Sequence, residues 1–544
     1  MKQLMFCMLL YALLLIACKD DANTSTAGSK KNKKISSRNY SINRTNAYND
    51  LFLDSNVAEK FIIEKKIPDS IANRIRSFYN SRNYEFAWFS SDGLTEQARG
   101  FWNLYNNYLA VTDDTALDNK ALKKRMLVLV AEDTIYPSAK NKTFVSMEIL
   151  LTAQFIHHTL VTYKPDYVKR KEMERFIPAQ KLDALYLTDS LLIKKHKDNK
   201  YYEEVNPTYG LLKEKLAAYY EIHKKGGWPV VTVPKKSFKK GISSPEIITI
   251  KKRLHLTGDL AAEDTTQVFS DQLEQAVKNF QQRHGLKDDG IVNKETIYEM
   301  NVPVTKRIQQ LLINMDRMRW LPQQQEGRLI IVNIPAFEMH IMEGKQEVFN
   351  MDVVVGKEGH NTSIFTGNLN QVVFNPYWNV PRNIVRNEIL PAIEKNPHYL
   401  EKENMEITGE EDGLQEIRQR PGEKNALGKV KFLFPNSYNI YFHDTPVKSL
   451  FKKEKRAFSH GCIRLSNPTW LANYLLKDQP GWDEQKIQQA MKGDKEKFVR
   501  VKDPVPVLIT YYTAWVDERG QLNLREDIYS HDEAVIKKMF TKTL

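Results

Sequence analysis

The residue types best suited to covalent chemistry lie together near the end of the chain, in residues 459–465 (SHGCIRL). Cysteine attacks as its thiolate, and a neighbouring histidine or arginine favours that form. His460 and Arg464 each lie two residues from Cys462. Directly before the cysteine, Gly461 lets backbone N–H groups approach a developing oxyanion closely. The segment therefore predicts a nucleophilic cysteine site.

A second histidine can supply the base that such a nucleophile needs. His443 lies 19 residues before Cys462, within residues 441–446 (YFHDTP) and at the end of the strand predicted near residues 439–443. An imidazole accepts and returns a proton near neutral pH. We expect His443 to meet Cys462 across adjacent strands, with His460 and Arg464 sharing the face of Cys462 on an extended segment.

The other two cysteines, Cys7 and Cys18, belong to an N-terminal segment. There Lys2 precedes an apolar run over residues 4–17, which is shorter than the ~20 residues that a membrane-spanning helix needs and is typical of a signal peptide. Exported proteins that use cysteine structurally use it in pairs. An unpaired Cys462 therefore favours a reactive thiol over an inert buried one.

The end of the apolar run, residues 14–18 (LLIAC), resembles a bacterial lipobox. By this resemblance Cys18 would carry lipid and become the mature N-terminus. An ordinary signal peptide that happens to end near a cysteine is the alternative. Residues 1–18 are thus expected to be a lipoprotein signal peptide, and the protein to be exported and tethered to a membrane.

Length and composition exclude some classes of protein. The chain has 544 residues, which at ~150 residues per domain suggests about three to four units. It is 42% hydrophobic and 10% aromatic, so wholesale disorder is excluded. The net charge of +13 favours an anionic partner such as a wall polymer or lipid headgroups. Nucleic acid is disfavoured because the sequence has no base-reading or phosphate-cradling motif.

The elements that must position the site form a succession of segments. Residues 19–50 are polar and aperiodic, which predicts a flexible tether. Residues 51–240 have mostly helical apolar spacing and no chemistry, so we expect a scaffold domain. Its aromatic residues Tyr84, Phe86, Trp88 and Phe89 are expected in the core.

Residues 241–302 are a compact unit of three predicted helices. Leu273, Ala276, Val277 and Phe280 lie on one face of the second helix, and Asn293 caps the third. The spacing of residues 280–292 resembles a peptidoglycan-binding domain; a three-helix bundle without wall contact is the alternative. Residues 303–325 are expected to be a linker helix.

After residue 326 the sequence pattern changes from helical spacing to short β-rich runs. We expect strands near residues 329–334, 337–342, 348–355, 372–374, 430–434, 439–443 and 507–512. The charged residues 386–428 between them predict a lid inserted over the sheet. Residues 326–544 are thus expected to be one mainly β domain.

These features together resemble the L,D-transpeptidase (YkuD-type) catalytic domain, whose signature is a histidine followed at a distance by Ser-His-Gly-Cys, an apolar residue and Arg. Residues 375–381 (NPYWNVP) and 425–432 (NALGKVKF) are similar to the large multidomain branch of that family. The resemblance implies an α+β multidomain protein: a helical scaffold, a three-helix peptidoglycan-binding bundle and a YkuD-like sheet or sandwich with a lid.

The resemblance also implies roles for individual residues. Cys462 would be the nucleophile and His443 the general base and then acid. Five further residues would shape the oxyanion site and support the loop: His460, Gly461, Arg464, Ser459 and Asp444. Four others would line a substrate groove: Tyr377, Trp378, Asn379 and Tyr441.

The implied activity is a murein L,D-transpeptidase that forms 3→3 crosslinks between tetrapeptide stems with release of D-alanine. No cofactor or metal is implied. The expected partners are the donor and acceptor stems. The lipid would tether the protein to a membrane, with the protein facing the periplasm, and we expect the chain to be a monomer.

Several alternatives stay open. His443, His460 and Cys462 offer three zinc ligands, but no fourth donor stands out and the neighbouring Arg464 disfavours a dication. Ser-x-x-Lys occurs at residues 237–240 and 449–452 without the Lys-Thr-Gly of penicillin-binding enzymes. An L,D-carboxypeptidase, with water as acceptor, and a non-catalytic wall-anchoring lipoprotein are the remaining possibilities.

Overall fold

The computed structural model describes residues 35–112, 118–131, 135–162, 177–193, 207–232, 237–262, 264–321 and 327–541. The expected signal peptide, Cys18 and residues 19–34 of the expected tether lie outside the described residues. From Ser36 onward the chain forms one unit, so its helical and β parts belong to a single fold.

The first part of the fold is helical, as the apolar spacing predicts. A hairpin of β1 (Phe89–Ser90) and β2 (Gly93–Leu94) interrupts the helices. Phe86, Trp88 and Phe89 are completely buried, and Tyr84 packs against the same cluster, which confirms the predicted aromatic core. The helices are Ser55–Glu64, Asp69–Ser81, Glu96–Val111, Lys120–Ala131, Lys142–Thr162, Ala184–Leu192 and Pro207–Lys224.

The prediction of a flexible tether is wrong for residues 35–50. Ile42, Ala47 and Tyr48 are at most 4% exposed. The Asn49 side-chain amide donates hydrogen bonds to the carbonyl of Phe89 at 2.7 Å and to that of Phe86 at 3.2 Å. The polar side chains that suggested a solvated tether instead form hydrogen bonds with backbone groups of the scaffold.

One helix among the described residues, Lys142–Thr162, is long and apolar enough to cross a membrane. Within the fold, 61% of its most apolar window is buried. Ile149 and Phe155 pack into the aromatic cluster of the scaffold, so this helix forms part of its core.

The three helices expected in residues 241–302 are present, at Glu246–Leu256, Asp271–Arg283 and Lys294–Asn301. Ser270 and Asn293 cap the second and third helices through their side chains. The predicted face of the second helix is buried against the other two, and its members Leu273, Ala276, Val277 and Phe280 share one core.

The expected linker helix, Val304–Met318, is more than a linker because almost every side of it is buried. Arg317 at its end bonds to Glu96 of the scaffold and to Asp532, both at 2.5 Å. Asn314 donates to Thr513 at 2.7 Å. The helix therefore joins the scaffold to the last residues of the chain.

The main sheet has nine strands in the order β12-β5-β13-β11-β10-β6-β14-β3-β4, and an additional β4–β5 pairing closes it on itself. The strands are β3 (Arg328–Asn333), β4 (Glu338–Glu343), β5 (Gln346–Gly356), β6 (Thr366–Phe374), β10 (Val430–Leu433), β11 (Phe442–His443), β12 (Ala457–Ser459), β13 (Ile463–Leu465) and β14 (Lys497–Thr510). Helices Pro468–Leu476 and Glu484–Lys492 pack on its core.

The end of the chain leaves this sheet. Strands β15 (Ala514–Val516) and β16 (Leu522–Leu524) form a hairpin, and helix His531–Met539 follows. These elements share a core with Val304–Met318 and Pro207–Lys224. The β domain is thus held against the helical part from both of its ends.

The lid is a small subdomain inserted between β6 and β10. It has its own sheet of β7 (Trp378–Asn379), β9 (Leu414–Gln419) and β8 (Met405–Glu411), and its own apolar core. Its helical part runs through Arg382–Ile384, a π-helical turn at Val385–Ile389, Leu390–Lys395 and Tyr399–Lys402. The inserted structure therefore begins at Trp378, earlier than the expected residue 386.

We expect Arg317→Ala to lower the free energy of unfolding by about 3–5 kcal/mol, because it leaves the carboxylates of Glu96 and Asp532 without their cation. Chemical denaturation measures the loss. Arg519→Ala is the matched control: its ion pair with Asp517 leaves the Arg519 side chain 68% exposed, so about 0–1 kcal/mol is expected. Equal, small losses in both variants would contradict the role given to Arg317.

Candidate active site

Two short parallel strands bring the predicted site residues together. The register of β11 and β13 pairs Phe442 with Ile463 and His443 with Arg464. Phe442 and Ile463 are completely buried in the core. Since side chains alternate along a strand, Tyr441, His443, Cys462 and Arg464 lie on the opposite face.

His443 is held as a neutral base. Its Nδ1–H donates to the Asp444 carbonyl at 2.5 Å, which leaves the lone pair on Nε2. Burial, with the nearby Arg464 cation, lowers the pKa of His443 to about 3. The imidazole is therefore uncharged at neutral pH and can accept a proton.

The environment of Cys462 differs from the expected one. Burial raises the pKa of the Cys462 thiol, and the opposing effects of Tyr441 and Arg464 are smaller. Its Sγ lies 3.8 Å from the Asn439 carbonyl oxygen, which accepts from a protonated thiol. The expectation that neighbouring His and Arg side chains hold a thiolate is wrong at rest, because desolvation outweighs them.

Ser459 and Gly461 shape the loop that carries the cysteine. The Ser459 hydroxyl donates to the Cys462 carbonyl at 2.5 Å and accepts from the Gly461 N–H at 3.1 Å. Gly461 has a φ of 110°, a conformation that favours glycine. The Gly461 N–H is used inside the loop, so its part in an oxyanion site is indirect.

Three residues that the sequence analysis did not single out hold this loop from outside. Thr362 donates through its hydroxyl to the Gly461 carbonyl at 2.8 Å and accepts from the Gly356 N–H at 2.9 Å. The Tyr529 hydroxyl donates to the Gly356 carbonyl at 2.5 Å. A side chain on Gly356 would place its Cβ 2.0 Å from the His360 carbonyl oxygen. No pattern in the sequence indicated that Thr362, Tyr529 and Gly356 support this loop.

His460 contacts the lid. Its Nε2 lies 2.8 Å from the Glu388 carboxylate in the π-helical turn, and its ring is 4.8 Å from that of His360. Asp444 supports His443 through its backbone carbonyl only. Its carboxylate instead accepts from the Lys448 ammonium at 2.6 Å and the Lys429 N–H at 2.9 Å.

Of the four groove candidates, Tyr441 contacts Cys462. The Tyr441 backbone N–H and hydroxyl lie beside the sulfur and act to lower the pKa of Cys462, which favours its negative form. Trp378 packs against the core of the lid. Asn379 is exposed opposite Arg418 on the lid sheet, and the Arg418 guanidinium lies 4.2 Å from the Tyr377 ring centre.

The Arg464 guanidinium lies where it can stabilise negative charge on the Cys462 sulfur. Its Nε is buried without a hydrogen-bond partner in the part of the chain that the structure describes. Burial lowers the pKa of the Arg464 guanidinium, and negative charge on the nearby Cys462 would oppose that shift. A donor and a cation therefore lie beside the sulfur. Within the same described ranges, no three His, Cys, Asp or Glu side chains are grouped to hold a metal ion.

We expect slow alkylation of Cys462 by iodoacetamide at neutral pH, because only the thiolate reacts and burial raises the pKa of the thiol. The rate should keep rising past about pH 8.5, where an ordinary cysteine is half ionised. Mass spectrometry of the Cys462 peptide measures it, with an unfolded peptide of residues 457–467 as control. A full rate already at pH 7 would contradict the neutral resting thiol.

Known proteins share this organisation. Residues 327–507 match the family model described as "L,D-transpeptidase catalytic domain" (YkuD). Residues 243–300 match "Putative peptidoglycan binding domain", and residues 73–216 match "Scaffold domain". The catalytic-domain match contains both His443 and Cys462.

A protein of Haemophilus influenzae named "Putative L,D-transpeptidase" is 31% identical over 255 residues, which are 43% of this chain and 51% of that protein. The matched part thus spans about half the length of this curated relative. Solved structures of L,D-transpeptidases include one from Mycobacterium smegmatis, 15% identical over 34% of this chain and 58% of its own with a TM-score of 0.19. Another, from Xylanimonas cellulosilytica, is 14% identical over 51% of this chain and 100% of its own with a TM-score of 0.17.

The domain matches agree with the helical, three-helix and β parts of the fold. The closed sheet of this chain, with its lid, is an L,D-transpeptidase catalytic domain of the YkuD family, preceded by a scaffold domain and a peptidoglycan-binding domain.

Proposed function

We propose that this protein is a murein L,D-transpeptidase that forms 3→3 crosslinks through a cysteinyl thioester. The observation that carries the proposal is the placement of Cys462 and a neutral His443 on one face of two paired strands. A thiol beside an imidazole with a free lone pair is suited to attack on a carbonyl.

In the first half-reaction, Cys462 Sγ attacks the carbonyl carbon of residue three of a tetrapeptide stem, and His443 Nε2 takes the thiol proton. The tetrahedral intermediate collapses, the bond to the terminal residue breaks, and His443 returns the proton to the departing amine. D-alanine leaves, and the stem remains as a thioester on Cys462.

In the second half-reaction, the side-chain amine of residue three on a neighbouring stem attacks the thioester carbonyl. His443 accepts a proton from this amine and returns it to the departing sulfur. The products are a new amide bond and the original thiol. One peptide bond is broken and one is formed, so the reaction needs no external energy source.

Three features of the site support this mechanism. The raised pKa of Cys462 and the lowered pKa of His443 keep both groups neutral until a substrate carbonyl is present. Proton transfer then accompanies the attack, which is general-base catalysis. The polar groups of Tyr441 and the cation of Arg464 favour negative charge at the reacting sulfur.

Water is the competing acceptor, and its use would make the enzyme an L,D-carboxypeptidase. The contact between His460 and Glu388 supports transfer to an amine, since it connects the lid to the loop of the nucleophile. A lid in that place can limit the access of water to the thioester. We therefore propose that the lid favours crosslinking over hydrolysis.

We also propose that the protein is a lipoprotein, anchored through Cys18 and facing the periplasm as a monomer. The lipobox-like residues 14–18 support the anchor. The peptidoglycan-binding domain supports a place next to the wall. Both domains point to peptidoglycan as the substrate, and none of their motifs indicates a nucleic acid partner.

We expect Cys462→Ala to abolish both D-alanine release and crosslink formation on tetrapeptide muropeptides, because the thioester cannot form. Mass spectrometry of the products measures both. Thermal denaturation of the variant checks that the fold is kept. Retention of either product by the alanine variant would exclude the proposed mechanism.

We expect His443→Ala to slow D-alanine release by about 10²–10⁴-fold, the usual contribution of a general acid–base group. His460→Ala should instead raise the hydrolysed fraction of product, because it breaks the contact with the lid. Glu388→Gln is the matched variant on the lid: it weakens the same contact from the other side and should therefore change the product in the same direction. If His460→Ala removed acylation while His443→Ala left it within a few-fold of wild type, the two roles would have to be exchanged.

A further inference from the structure

A cavity of about 430 Å³ lies where the scaffold meets the β domain. Its walls come from helices Glu96–Val111 and Lys120–Ala131 on one side and from β6 with residues 435–438 on the other. The volume is within the range of about 300–1,000 Å³ typical of small-molecule sites, which often lie between domains. No step of the proposed reaction uses this cavity.

The polar lining of the cavity consists mainly of asparagine amides. Asn106 comes from the scaffold, and Asn368 and Asn370 come from β6. In the part of the chain that the structure describes, none of these three side chains has a hydrogen-bond partner. Asn103 donates to the Ile364 carbonyl at 3.3 Å and so joins the two walls. Each open amide offers both a donor and an acceptor.

The apolar lining combines three aromatic rings with a larger number of aliphatic side chains. Trp102 and Phe365 line the cavity and are 4% and 3% exposed. The half-buried Tyr438 ring lies 5.1 Å from that of Phe365. Among the described lining residues there is no carboxylate, and Lys123 is the one cation. A metal ion or a cationic ligand has no counter-charge here, and a peptide carboxylate would meet a single ammonium.

We propose that this cavity binds a saccharide ring, of the N-acetylated amino-sugar class. A sugar ring presents hydroxyl groups that are both donors and acceptors, which match the open amides. Its faces of C–H groups pack on aromatic rings, and an acetamido group matches a further amide. That the saccharide belongs to a wall glycan strand rests on the proposed function; that the cavity takes a saccharide does not.

The cavity is connected to the nucleophile by one loop. Residues 435–438 form part of its wall, and the next residue, Asn439, accepts from Cys462 Sγ at 3.8 Å. Asn436 stiffens this loop by donating to the carbonyls of Phe434 and Ile440, both at 2.7 Å. A glycan held in the cavity therefore contacts the element that also contacts the sulfur, and the cavity can hold the strand that bears the stem.

Photolabelling of the full-length protein with a diazirine-bearing N-acetylglucosamine tetramer tests the cavity directly. We expect labelled peptides from residues 102–127 or 365–370, mapped by mass spectrometry. Asn106→Leu and Asn370→Leu should each lower this labelling about tenfold, the effect of losing one ordinary hydrogen bond. Label elsewhere only, or undiminished label in both variants, would overturn the proposal.

Asn56→Leu is the matched control, because it makes the same change at an exposed position of the scaffold outside the cavity. Asn106→Ala only shortens the side chain and keeps the test available where the leucine variant fails to fold. Labelling of the peptidoglycan-binding domain at residues 243–300 is a separate event, which the cavity variants should leave at its wild-type level.

A kinetic comparison separates this proposal from the proposed function. We expect wild type to prefer a tetrapeptide carrying its disaccharide over the free tetrapeptide, and both leucine variants to lower that ratio of kcat/KM about tenfold. Turnover of both substrates with no preference in wild type would overturn the saccharide site alone. No turnover of either substrate would overturn the proposed function, and the labelling would then decide the cavity.

Discussion

The buried guanidinium of Arg317 is the interaction on which the arrangement of the domains depends. It bonds to Glu96 of the scaffold and to Asp532 of the final helix, and its cation lies 5.3 Å from the Tyr511 ring centre, at the end of β14. A buried cation with two carboxylate partners fixes the distance between three parts of the chain far apart in sequence. The β domain is therefore built on the helical part and not merely attached to it.

From Tyr511, hydrogen bonds continue to the loop that carries Cys462. The Tyr511 hydroxyl accepts from the Tyr529 N–H at 2.9 Å, and Tyr529 bonds to Gly356 and Thr362. Thr362 in turn holds the Gly461 carbonyl. The position of Cys462 is thus set by the packing of the chain's end as well as by its own strand.

Local sequence was sufficient for the elements that carry the chemistry. The alternation around His443 and Cys462 and the apolar runs of β3 to β6 gave the strands and their shared face, because period-two patterns are local. The hydrogen bonds of Thr362 and Tyr529 join residues 167 apart along the chain, so no periodicity reveals them. The tether prediction failed at residues 35–50 for a related reason. Polar side chains that form hydrogen bonds with a neighbouring backbone have the same composition as solvated ones.

Burial decided the protonation state of the site, and no motif shows burial. The sequence places a histidine and an arginine beside the cysteine, and both would favour a thiolate in water. In the fold, desolvation of Cys462 outweighs them. A motif therefore identifies which groups react, while their resting charge depends on the packing of distant segments.

The raised pKa of Cys462 has a consequence for the chemical stability of its thiol. Oxidation to sulfenic acid and beyond begins from the thiolate, and Cys462 is the one cysteine in the part of the chain that the structure describes, so no second thiol there can reverse the damage by forming a disulfide. A Cys462 thiol that stays protonated presents little thiolate to peroxide. The same desolvation that delays ionisation therefore protects the sulfur from irreversible oxidation.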